Sequence, residues 1–130
     1  MPQQSLIQPQ EIEMFYIMPT LRRELAIEMK NLGLKQNKIA DLLQIKKSTV
    51  SQYVNNQRGS KIEFSIGIKQ EISKSAPKIT DTLSLIRETQ RLIREIRQSC
   101  ELCRIHKQLA NVPKNCEPEA VLCFVGDNHV

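Results

Sequence analysis

Between Leu34 and Asn55 the chain reads LKQNKIADLLQIKKSTVSQYVN, and the apolar positions of this run leave little choice of fold. Ile39 and Leu43 recur four residues apart with Ala40 beside them, so they share the inner face of one short helix. Val50 and Tyr53 recur three residues apart and share the inner face of a second. Ile45 falls in the few residues between, which allow only a tight turn. Ala40 is small enough for the two helices to cross closely, where a larger side chain would hold their axes apart. Two such helices cannot bury their apolar faces alone, so the flanking chain must complete the core.

The residues left over on the second helix are Lys47, Ser48, Ser51, Gln52 and Asn55. Lys donates to guanine, Gln and Asn pair with adenine, and Ser serves either. With these outward residues, the spacing resembles the helix-turn-helix of lambda-repressor/Cro-type (Xre-like) regulators, found in small bacterial and archaeal transcription factors. The resemblance covers about Leu21 to Gly59. It implies that Gln36 touches the phosphate backbone and buttresses the second helix. It implies too that Lys47, Ser48 and Gln52 read bases, and that Asn55 lies near the backbone. Adding the basic and polar neighbours, the expected DNA-facing set is Gln36, Lys38, Lys46, Lys47, Ser48, Ser51, Gln52, Asn55 and Arg58. Two positions depart from the pattern. Gln44 stands where Gly is usual, at a site that often needs positive φ. Lys46 replaces the usual Ser or Thr cap, so the cap is expected to be absent or moved to Ser48.

Each feature alone also fits a helical scaffold that binds a protein and no DNA. Charge argues for DNA. The net charge is +5, yet between Leu21 and Lys61 nine basic residues face only three acidic ones, so the rest of the chain is slightly negative. Positive charge concentrated on the motif is what phosphate contacts require. A scaffold has no need of Lys47, Ser48 and Gln52 together with such a field. RNA binding is disfavoured because the 4% aromatic content supplies no stacking platform.

The same lack of aromatics, with no Trp and only four Gly, is poor material for a sandwich or barrel. Runs rich in Leu, Ile, Lys, Glu, Arg and Gln predict an all-α chain, and its 130 residues make one compact domain with extensions. Residues 1–8 read as a loose arm and residues 9–75 as the DNA-binding domain. Within it, Pro9 starts a helical stretch to about Met18, Pro19 opens a new helix, and Gly33 ends that helix. Phe15 and Tyr16 read as core or dimer contacts. Ile62, Phe64, Ile66 and Ile68 alternate like a strand, but a loop into a helix over about Gly67–Ser73 is preferred, since no partner strand is evident. Beyond Pro77 the pattern predicts one long helix over residues 78–109, capped by Thr80. The seven-residue series Ile79, Ile86, Ile93, Cys100 makes it a candidate dimerisation element, or a helix that packs within the chain.

Residues 110–130 form a tail, and Cys100, Cys103, Cys116 and Cys123 all lie in the last 31 residues. Cys100 and Cys103 are a C-x-x-C pair expected on the long helix, close enough for one metal, with Pro113 and Pro118 turning the chain back. His106 and His129 are possible substitute ligands. The intervals match no common zinc ribbon, and an iron–sulfur cluster, zinc, a thiol–disulfide switch and plain thiols all remain open. The Cys-rich end also resembles that of a group of archaeal predicted regulators. No signal peptide or membrane span is evident, which predicts a cytoplasmic protein. No nucleophile, acid–base set or phosphate loop predicts an enzyme. The expected partners are double-stranded DNA and a second copy of the chain.

Overall fold

The computed structural model describes residues 8–56, 58, 62–110 and 112–117, and it is a helical bundle with no strand among those residues. The chain starts with α1 (Pro9–Ile12), passes through a π-helical turn (Glu13–Ile17) and continues into α2 (Met18–Asn31). The break expected before Pro19 is therefore not a break. Pro19 has no N–H to give to the carbonyl four residues back, and its ring would strike that carbonyl. The wider π turn just ahead of it absorbs the misfit, with the Met18 N–H reaching back to the Glu13 carbonyl. One continuous helical rod results.

Gly33, at φ 95°, ends α2 as expected, its N–H donating to the Lys30 carbonyl at 2.9 Å. Helices α3 (Gln36–Leu43) and α4 (Lys47–Val54) follow, then α5 (Ile66–Ser75), whose N-cap Ser65 accepts the Ile68 N–H at 3.4 Å. The alternating stretch 62–68 is thus a loop and a helix start. After a 3-10 turn (Ala76–Lys78) come α6 (Thr82–Gln98) and α7 (Glu101–Leu109). Asp81, not Thr80, caps α6: its carboxylate accepts the Ser84 N–H at 2.9 Å, and the Ser84 hydroxyl accepts the Asp81 N–H at 3.0 Å.

The long helix expected over 78–109 is two helices, broken at Ser99 and Cys100, the latter at φ 64°. Its core explains the break. Leu92, Ile96, Leu102 and Ile105 are all buried, and a straight helix of that length would span about 48 Å, longer than a chain of this size is wide (about 36 Å). Folding at Cys100 lets α7 return against α6 and α1. The seven-residue series does not make one seam: Ile79 and Ile93 are buried, while Ile86 and Cys100 face solvent.

Helix α2 is the central rod. Its Leu21, Leu25 and Met29 are buried with Ile39 and Leu43 of α3, Val50 and Tyr53 of α4, and Ile68 and Ile72 of α5. The α5–α6 contact carries a buried carboxylate. Glu88 accepts from the Ser75 hydroxyl at 2.8 Å and from the Arg91 Nε at 3.2 Å, while Arg91 also reaches Glu71 at 2.8 Å. Burial pushes Glu88 toward the neutral form, but the hydrogen bonds from Ser75, Arg87 and Arg91 outweigh it and hold its carboxyl below the usual range. A fork from Arg97 to Glu13, at 2.7 and 3.0 Å, ties α6 to the π turn.

Candidate nucleic-acid interface

The turn between α3 and α4 is closed by local chemistry. Gln44 lies in the left-handed region at φ 58°, as the missing glycine implied, and its side chain donates to the Asp41 carbonyl at 3.0 Å. The Ile45 N–H caps the Ala40 carbonyl at 3.0 Å. Lys46 is the N-cap of α4 and makes no side-chain cap, nor does Ser48 take over. Val50 and Tyr53 then anchor α4 in the core, and Ala40 is buried where α3 needs a small residue.

With its inner face spent on packing, α4 presents Lys47, Ser48, Gln52 and Asn55 to solvent, Ser51 half-buried beside them, and exposed Lys46 at its start. Gln36 is the first residue of α3 and half-buried. Arg58 is exposed and folds over this surface, donating to the Gln52 side-chain oxygen at 3.1 Å and to Thr49 at 3.5 Å. The Asn55 amide reaches Ser51 at 3.4 Å. Lys38, exposed on α3, lines a groove of about 320 Å³ with Leu32, Leu34, Leu42, Pro77 and Ile79.

Three residues that carry no local sequence signal hold α4 and the segment leading from it. Arg23 of α2 donates to the Asn56 side-chain oxygen at 2.6 Å, just where Asn56 turns the chain at φ 63°. Glu101 of α7, itself buried, accepts the Ser65 backbone N–H at 2.7 Å. Arg104 completes the grip, donating to the Glu63 carbonyl at 3.0 Å and to Glu101 at 2.8 Å. Burial raises the Glu101 carboxyl, but Arg104 and the Ser65 N–H more than offset this, leaving it below its ordinary range.

Cys100 is exposed at the joint of α6 and α7, Cys103 is half-buried in the first turn of α7, and Cys116 is half-buried after a turn closed by its own N–H on the Pro113 carbonyl at 3.0 Å. Cys100 therefore does not share a helix body with Cys103 but stands one residue before it begins. Cys123 and His129 lie outside the described residues. No group of three or more His, Cys, Asp or Glu converges to hold a metal among those described. His106 is buried with its Nε2 lacking a hydrogen-bond partner among them. No described helix is long and apolar enough to cross a membrane. Comparison with family models, curated proteins and solved structures gives no match.

Proposed function

We propose that this chain is a sequence-specific transcription regulator that lays α4 in the major groove of double-stranded DNA. The observation that carries the reading is the division of α4: Val50 and Tyr53 buried, Lys47, Ser48, Gln52 and Asn55 exposed. An exposed helix face of base-pairing chemistry, beside Lys46 and Arg58, is what direct readout with phosphate anchoring needs. The resemblance of Leu21–Gly59 to Xre-like regulators points the same way.

One such unit spans few base pairs, so useful specificity calls for two half-sites about one helical turn apart and a homodimer to span them. Leu83 and Ile86 of α6, 71% and 54% exposed, and Phe15, 58% exposed, are among the apolar surfaces available to a second copy. The same surfaces would serve a scaffold that binds protein. Fluorescence anisotropy on labelled duplex of mixed sequence, run across salt concentrations, separates the two. The proposal expects binding that weakens with salt, log K falling by about 0.9 per phosphate contact against log salt. No duplex binding at low salt would overturn it.

A further inference from the structure

Cys100 and Cys103 bracket the most connected residue of the α7 start. Between them lie Glu101 and Leu102, both helical. The α-carbon separation of two residues three apart is set by the backbone of the two between. For helical geometry that distance is about 5 Å, inside the roughly 4.4–6.8 Å that a disulfide bridges. Cys100 stands outside the helix body, so its side chain is not bound to the helical direction, and its exposure makes it reachable by a small reagent. Cys103 is the half-buried second partner one turn on.

The turn they bracket grips the chain that leads out of α4. Glu101 holds the Ser65 N–H at 2.7 Å, Arg104 holds the Glu63 carbonyl at 3.0 Å, and Ser65 in turn caps α5. The Arg104 N–H itself closes on the Cys100 carbonyl at 3.1 Å. A covalent link across this turn therefore acts directly on residues 63–65.

We propose that Cys100 and Cys103 form a reversible disulfide that locks the first turn of α7 onto the 63–65 segment. A low-molecular-weight disulfide such as glutathione disulfide is the oxidant. The Cys100 thiolate attacks it, forming a mixed disulfide and releasing one glutathione thiolate. The Cys103 thiolate then attacks the Cys100 sulfur and expels the second. Two protein thiols lose two electrons and two protons, and one glutathione disulfide becomes two glutathione thiols. The α-carbon spacing set by Glu101 and Leu102 already suits the bond, so the oxidised form keeps the Glu101–Ser65 contact and stiffens it. The proposal stands apart from DNA binding.

The test uses the full chain in glutathione redox buffers, with peptide mass mapping and amide hydrogen exchange. Oxidation should produce a Cys100–Cys103 disulfide, seen as the loss of two hydrogen masses from that peptide. It should be reversed by excess dithiothreitol, and exchange at Ser65 should slow several-fold in the oxidised form. Cys103→Ser should trap glutathione on Cys100 as a lasting adduct, because the resolving thiol is gone. A Cys116→Ser, Cys123→Ser double variant should behave as the parent does. Thiols at 100 and 103 that stay reduced, bonds to Cys116 or Cys123 instead, or tight zinc that protects both thiols would overturn the disulfide. A disulfide that forms while Ser65 exchange is unchanged would overturn the lock.

Discussion

The buried carboxylate of Glu101 accepts the backbone N–H of Ser65 at 2.7 Å across 36 residues of sequence. This bond joins the start of α7 to the cap of α5, and so ties residues 63–65 to the α7 end of the chain. Ser65 itself is exposed and the bond part-buried, and losing a hydrogen bond to a charged acceptor costs about 1.5–3 kcal/mol. Glu101→Ala should therefore lower the free energy of unfolding by that much in urea titration, with Glu101→Gln losing less because it keeps an acceptor oxygen. A change within error for Glu101→Ala would show that the contact contributes nothing.

Stability should fall on the acid side through this residue and Glu88. Both carboxyls sit below their ordinary range in the folded chain, so the unfolded chain takes up protons first as pH drops. Their contribution is present in full above the unfolded value of about 4.3 and disappears as pH falls through the lowered folded values. Thermal midpoints should be level from about pH 7 to 5 and drop steeply below about pH 4. Glu88→Gln should shallow that drop. An acid limb of the same steepness in Glu88→Gln would remove this residue from the account.

On DNA, Gln52→Ala should cost about 1–3 kcal/mol on the specific site and relax base preference there. Arg58→Ala should weaken binding to all sequences and reduce the salt slope. Because Arg58 donates to the Gln52 oxygen at 3.1 Å, it should also blur preference slightly, where a plain phosphate contact would not. Equal losses on specific and random duplex for Gln52→Ala would count against α4 as the reading helix.

A homodimer should scatter light as twice the 15.0 kDa chain, and Ile86→Asp should shift it toward the single chain without unfolding it, since Ile86 is exposed. A 15.0 kDa particle both free and on DNA would refute the dimer.

Much of this was legible beforehand at short range. Ile39, Leu43, Val50 and Tyr53 are buried as their spacing required, and Gln44 takes the positive φ that its place in the turn demanded. The outward set on α4 follows from the same periodicity, because a helix that buries one face exposes the other. Arg23, Glu101 and Arg104 were not legible. Each acts on residues far along the chain, and an Arg or Glu on a charged helix reads as solvated unless its partner is known.

What the sequence by itself determined is the local element: which residues turn inward, and where a Gly or Gln accepts left-handed backbone. Whether an element continues was decided in three dimensions. Pro19 looked like a boundary, yet α2 needed its buried Leu21 and Leu25 aligned with Ile12 and Ile17, and a π turn kept the rod whole. Residues 78–109 looked like one helix, yet Leu102 and Ile105 could reach the core only if the chain bent at Cys100. Helical periodicity is set between residues three and four apart, whereas burial is a property of everything packed against a side chain. That larger sum placed Glu88 and Glu101 inside the protein and left Ile86 outside.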